Sequence, residues 1–348
     1  MKYTINLKPV LFVFICAFVA ASCVKEGPMG PPGEDGEDGA DGRDGVDGKV
    51  TCMACHSSDN IEAVQAQFSM SGHYAGEKAV AYAGARADCA QCHSHEGFVQ
   101  YATSDTVLGR ITNPSPWKCN TCHGLHKTFE TTDYALRLSD PFTPVYDKTA
   151  TMDLLGNSNI CATCHQTRRA EPNITNPGET FTIRSSHYGP HHGPQANIVA
   201  GVGFAEIQGT TPYPAPYSSY HLNEDASCTG CHMGEYANGG GHTFKANLDA
   251  CNSCHGVNEE NFNHGGRQDD VADKLDKLRD KLIAHGVVEG DEEHGYHPVE
   301  ATHPMVLAQG FFNWIGLVED RSLGAHNPPY VNALLNNTLD AIEAYESQ

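Results

Sequence analysis

Residues 220–244 read YHLNEDASCTGCHMGEYANGGGHTF. Cys228 and Cys231 stand three apart, and His232 follows the second directly. Within one helical turn, side chains at i and i+3 share a face, so both sulfurs point the same way with the imidazole beside them. The arrangement recurs at Cys52, Cys55 and His56; Cys89, Cys92 and His93; Cys119, Cys122 and His123; Cys161, Cys164 and His165; and Cys251, Cys254 and His255. These six motifs absorb twelve of the fourteen cysteines. The remaining two, Cys16 and Cys23, lie near the start of the chain.

Three chemistries use paired cysteines. A disulfide framework has no need of a histidine after every second cysteine. Zinc takes four ligands and makes no such demand either. Covalent haem needs both features, namely two thioethers to one porphyrin and an imidazole for its iron. The sequence therefore predicts six covalently bound haem c groups, each held by one cysteine pair, with His56, His93, His123, His165, His232 and His255 as iron ligands.

Twenty histidines are present, so fourteen remain for the opposite faces of the irons. Methionine is scarcer in this region, with only Met70, Met152, Met233 and Met305 outside a motif. Paired imidazoles at every haem are therefore easily supplied. They give lower potentials than a histidine–methionine pair.

Several stretches resemble the multihaem cytochromes c that include nitrite reductase, hydroxylamine oxidoreductase and related electron carriers. They are FSMSGHYAG, CAQCHSHEGF, CNTCHGLH, SSHYGPHHGPQ, YHLNEDASCTGCHM, GGGHTF and EDRSLGAHNPPY, spread over residues 65–345. The resemblance implies His73, His126, His191, His221, His242 and His326 as distal ligands, with His187 and His192 as alternates to His191. It leaves His95, His264, His285, His294, His297 and His303 as surface or supporting groups. Nitrite reductases of this kind often carry a catalytic CxxCK motif, and none occurs here. Hydroxylamine oxidoreductases carry more haems and a tyrosine cross-link. Six haems without either mark point to an electron carrier, with no catalytic residue assigned. A reductase of a small nitrogen or sulfur oxyanion at one open haem, and a subunit of a cytochrome filament or outer-membrane conduit, are the alternatives.

The expected fold is mainly α with much irregular loop, a multihaem cytochrome c wrapped around its covalent haems and ending in C-terminal helices. Aromatic content is 8%, glycine and proline are plentiful, and the motifs are unevenly spaced, which excludes a simple tandem repeat. Near the end, DDVADKLDKLRDKLIAHG puts Val271, Leu275, Leu278 and Leu282 on one helical face, with Gly286 near the C-cap. A second helix is predicted from Pro328 or Pro329 through Tyr345, with Leu334, Leu335, Leu339 and Ile342 inward.

The N-terminus has the plan of a secretory signal, with Lys2 and Lys8 ahead of an apolar run from Val10 to Ala20. AASC at residues 20–23 resembles a bacterial lipobox, although Ala20 stands where leucine is usual, and implies cleavage before an acylated Cys23. Gly27, Gly30, Gly33, Gly36, Gly39, Gly42, Gly45 and Gly48 then keep period three, a collagen-like run. It reads either as an extended single-chain stalk or as the triple helix of a trimer. Asp35, Asp38, Asp41, Asp44 and Asp47 would crowd like charges in the latter. From Lys25 to Gly48 the span is at most about 75 Å in polyproline II form.

The expected organisation is thus a signal peptide (1–22), anchor and stalk (23–49), hexahaem region (50–256) and helical C-terminal segment packed on it (257–348). A formal charge of −21 makes nucleic acid and bare anionic lipid poor partners, and favours basic redox proteins or cationic metal species. CVKE at residues 23–26 resembles signals that send lipoproteins to the cell surface, so an outer-membrane, surface-facing carrier is expected, with redox donors and an extracellular acceptor as partners.

Overall fold

The computed structural model describes residues 56, 58–125, 135–175, 177–236, 239–256 and 260–348. The signal segment, Cys23, the glycine run, Cys52, Cys55 and His126 lie outside the described residues.

The chain up to residue 256 forms short helices joined by irregular segments. These are α1 (Ser58–Ser69), α2 (Glu77–Ala83), α3 (Ala87–His93), α4 (His95–Ser104), α5 (Cys119–Cys122), α6 (Ser158–Ala162), α7 (Pro172–Thr175), α8 (Gln195–Ala200), α9 (Ser227–His232) and α10 (Leu248–His255). Five of them, α3, α5, α6, α9 and α10, carry motif cysteines, as the spacing of those cysteines predicts. Local chemistry sets their ends. Ser94 separates α3 from α4 and accepts from the Gly97 amide at 3.1 Å as an N-cap, while Asn247 caps α10 through the Asp249 amide at 2.8 Å. A Cβ on Gly97 would lie 2.3 Å from the Ala90 carbonyl oxygen, so only glycine lets the two helices touch backbone to backbone.

After residue 260 the elements lengthen. Helices α11 (Arg267–Ala284), α12 (Met305–Asp320) and α13 (Pro328–Glu346) pack on one another around the main apolar core. Helix α11 buries Val271, Leu275, Leu278 and Leu282, the four residues its periodicity places on one face. Asp269 and Asp270 occupy its first turn, where the positive end of the helix dipole favours them. Helix α13 has proline in its first turn and an Asn327 cap, and it buries Leu334, Leu335, Leu339 and Ile342. Lys277–Glu343 at 2.9 Å and Lys281–Glu346 at 2.7 Å join the solvent faces of α11 and α13. Such exposed pairs contribute at most about 1 kcal/mol each.

Helix α12 lies at the centre. Phe311, Phe312, Trp314, Leu307 and Leu317 are all buried, and Gly316 admits the Phe204 ring, which would come within 2.3 Å of a Cβ there. Asn313 is buried too. It bonds the Ala205 amide (2.9 Å), the Ala205 carbonyl (2.8 Å) and Thr338 Oγ1 (3.0 Å), tying α12 to α13 and to the chain after α8. Phe181, Ile183, Tyr188, Ile198 and Phe204 enter the same core from earlier in the chain.

Sheet structure among the described residues is small. Strands β1 (Thr180–Thr182), β2 (Glu235–Tyr236), β3 (Gly239–Gly240), β4 (Val288–Asp291), β5 (Gly295–Pro298) and β6 (Thr302–Pro304) form three antiparallel pairs, β1–β6, β2–β3 and β4–β5. In the first, Phe181 stands opposite His303. His303 was expected at the surface or in support of a ligand, but it is 6% exposed and bonds the Val299 carbonyl at 2.9 Å. Pairing of β6 with β1 carries it into the core. The fold is therefore mostly helical with irregular connections, and no helix among the described residues is long and apolar enough to cross a membrane.

Candidate functional site

Every described cysteine and histidine of the six motifs lines one cavity of about 3810 Å³. A pocket for one small ligand is roughly 300–1,000 Å³, so this cavity has the volume of several. His56, the described member of the first motif, lies on its wall.

The motif helices meet at their sulfurs. Cys92 and Cys164 lie close enough to shift one another's ionisation, and so do Cys161 and Cys228. Cys92 Sγ also reaches the Thr163 carbonyl at 3.7 Å, and Cys164 Sγ the Gln91 carbonyl at 3.9 Å. Burial raises Cys122 and Cys231 to about 11. In the α9 motif, a Cβ on Gly230 would sit 2.1 Å from the Asp225 carbonyl oxygen, so the residue just before Cys231 must be glycine.

The histidines pair across the cavity. Ring centres are 5.9 Å apart for His93 and His191, 6.1 Å for His165 and His73, and 6.2 Å for His255 and His221. They are 6.3 Å apart both for His123 and His242 and for His232 and His326. An imidazole–metal bond is about 2.0–2.1 Å and the ring centre lies roughly 1.1 Å behind the bonded nitrogen, so two imidazoles on opposite sides of one metal put their centres roughly 6.2–6.4 Å apart. The observed separations match that span to within a few tenths of an ångström. Each pair joins one motif histidine to one of the histidines that the resemblance marks as distal ligands, and the pairings themselves come from the structure.

Burial lowers His73 to about 4, aided by His165, and lowers His191 to about 4, aided by His192 and His93. His93, His165 and His232 are also lowered, chiefly by burial. Neutral imidazole is the form that ligates metal. His326 differs: burial opposes its charge, yet the buried Asp320 carboxylate raises it through a 2.6 Å hydrogen bond.

Other ring nitrogens are oriented by neighbours. His221 Nδ1 meets the Ala325 carbonyl at 2.6 Å, His232 Nδ1 the Phe244 carbonyl at 3.0 Å, and His165 Nδ1 the Gln195 amide oxygen at 3.2 Å. Of the three histidines in SSHYGPHHGPQ, His191 faces His93. His192 pairs instead with Glu319 at 2.7 Å, while His187 lines the cavity. His191 holds φ of +91°, a conformation that costs an L-residue about 1–3 kcal/mol and concentrates at ligand clamps. His264 and His297 also line the cavity, with His264 4.6 Å from His255, too close to stand across a metal from it. His126 lies outside the described residues.

A solved structure, the outer cell wall cytochrome OcwA, superposes with a TM-score of 0.50 over 80% of this chain. The shared feature is a cytochrome fold. Sequence identity is 18%, and the match covers 50% of the OcwA chain, so the present chain spans about half of that structure. No protein-family model and no curated protein matches the sequence.

The donor set fits haem c. Paired thiols three apart, an adjoining imidazole and a second imidazole at metal-spanning distance share one large cavity, and the described cysteines are not in disulfides. Sequence reasoning missed Asp320 and Gln195 as partners of ring nitrogens. Both fall within the quoted stretches, but nothing in the residue order says that they bond histidines.

Proposed function

We propose that the chain is an electron-transferring cytochrome carrying six haem c groups, anchored through a lipidated Cys23 and presented at the outer-membrane surface. The observation that carries this reading is the set of five histidine pairs at 5.9–6.3 Å around a cavity lined by the motif cysteines. The described cysteine pairs would hold haem through thioethers. His93 with His191, His123 with His242, His165 with His73, His232 with His326 and His255 with His221 would hold the irons. His56 is assigned the first haem, with His126 as the expected opposite ligand.

Bound haem supplies one-electron oxidation and reduction. The chain's residues would fix its position and surroundings: paired imidazoles would hold the iron from both sides, an arrangement that favours a carrier over a reductase with an open iron. The sulfur contacts Cys92–Cys164 and Cys161–Cys228 bring the motifs on α3, α6 and α9 into direct succession, as a relay requires. The signal-like N-terminus supports the anchored location, and likeness in fold to a protein described as an outer cell wall cytochrome is compatible with a surface position. Donor and acceptor are proposed to be redox proteins or an extracellular species.

The test is intact mass together with the ferric spectrum of the mature protein. Six haems above the processed chain and its lipid, all low-spin, are expected. Five or fewer haems would overturn the count, and a substantial high-spin fraction would overturn the carrier assignment.

A further inference from the structure

We infer that Asp320 is a positioning residue that sets the potential of one haem. Resting on the haem reading above, the inference is that its carboxylate, bonded to His326, makes the haem at Cys228 and Cys231 harder to reduce than the haem at Cys89 and Cys92.

Asp320 ends α12, and its side chain is 1% exposed. One carboxylate oxygen accepts from His326 Nδ1 at 2.6 Å, and the other accepts from Ser322 Oγ. His326 stands 6.3 Å from His232, the imidazole following Cys231. A carboxylate on the far nitrogen fixes the tautomer and makes the ligating nitrogen more basic. A more basic ligand stabilises ferric over ferrous iron, and hydrogen bonding around the ligands is one of the protein's levers on potential. The opposite ligand is supported as well, by the Phe244 carbonyl at 3.0 Å from His232 Nδ1.

The His93–His191 pair has the contrary environment. His93 Nδ1 is buried and has no hydrogen-bond partner among the described residues, and burial, with Arg168 nearby, disfavours positive charge on both rings. Between these two haems lies the α6 motif, touching α9 through Cys161–Cys228 and α3 through Cys164–Cys92. Electrons leaving the His232–His326 haem by this route run downhill toward the His93–His191 haem, so Asp320 gives the relay a direction.

The experiment is spectroelectrochemical titration of the full holoprotein with Asp320→Asn and, separately, Ser322→Ala. Asparagine keeps the shape and loses the charge. One of the six couples should then become easier to reduce by about tenfold in its equilibrium constant, about 59 mV for one electron. It should be the same haem that turns high-spin in His326→Ala. Ser322→Ala removes the competing donor, concentrates charge on the His326 bond and should move that couple in the opposite direction. The inference is overturned if neither variant moves a couple, if both move it the same way, or if all couples shift together. Should Asp320→Asn fail to mature, the sign of the Ser322→Ala shift decides alone. Mass and spin state measured on the parent sample separate this from the haem reading: six low-spin haems with unmoved potentials sink only the role of Asp320.

Discussion

Replacing His73 by alanine tests the paired ligands where the structure is most explicit. The His73 ring lies between aromatic walls, 4.8 Å from Phe244 and 5.7 Å from Trp117, and it faces His165 at 6.1 Å. Truncation removes one imidazole while leaving the thioether cysteines of that haem, Cys161 and Cys164, untouched. One haem in six, about 17% of the iron, should therefore turn high-spin, with covalent haem content unchanged. Loss of the packed ring should cost about 1–3 kcal/mol of stability, within the ordinary range for a single substitution. Added free imidazole should enter the space between Phe244 and Trp117 and restore the low-spin signal. The assay is ferric electron paramagnetic resonance and the visible spectrum, with intact mass on the same sample. His294→Ala is the control, since His294 is exposed on the β4–β5 turn beside Asp291 and does not line the cavity. A fully low-spin His73→Ala protein would refute the pairing, and so would a high-spin fraction of equal size in the control.

Three further outcomes are expected. Leu278→Ala, at a fully buried site between the C-terminal helices, should lower stability by about 2–5 kcal/mol in denaturant or thermal melts, without altering the haem spectrum. Gly230→Ala should impair haem attachment at the α9 motif, because the added Cβ meets the Asp225 carbonyl oxygen at 2.1 Å, and the mass should show a species one haem short. Deleting Gly30 through Gly45 should leave haem content and spectrum intact yet slow reduction of an acceptor too large to enter the cell. An equally long Gly/Ser linker should restore that activity if reach alone matters.

What could be read from residue order follows from how each feature is encoded. The motif helices and the stripes of α11 and α13 rest on local spacing, and they appear where the spacing puts them. Helix α12 did not announce itself: MVLAQGFFNWIGLVED is buried on nearly every side, so it has no polar face to contrast with an apolar one. His73, His191, His221, His242 and His326 were marked by their surroundings in sequence. Which of them faces which motif depends on contacts between distant segments, and no local pattern records that. Asp320 shows the same limit. Its six-residue separation from His326 is unremarkable until the left-handed Arg321 and Leu323 turn the chain back on itself.

The histidine pairs also define a topology. They link residue 73 to 165, 93 to 191, 123 to 242, 221 to 255 and 232 to 326. Each of these loops begins before the previous ones have all closed, so the set interleaves from end to end. Any cut between residues 73 and 326 severs at least one pair. A fragment made by cutting inside this span would therefore carry at least one histidine without its opposite ring. The last crossing closes only after residue 326 has been synthesised, so a truncated product would be left with an unmatched imidazole at His232.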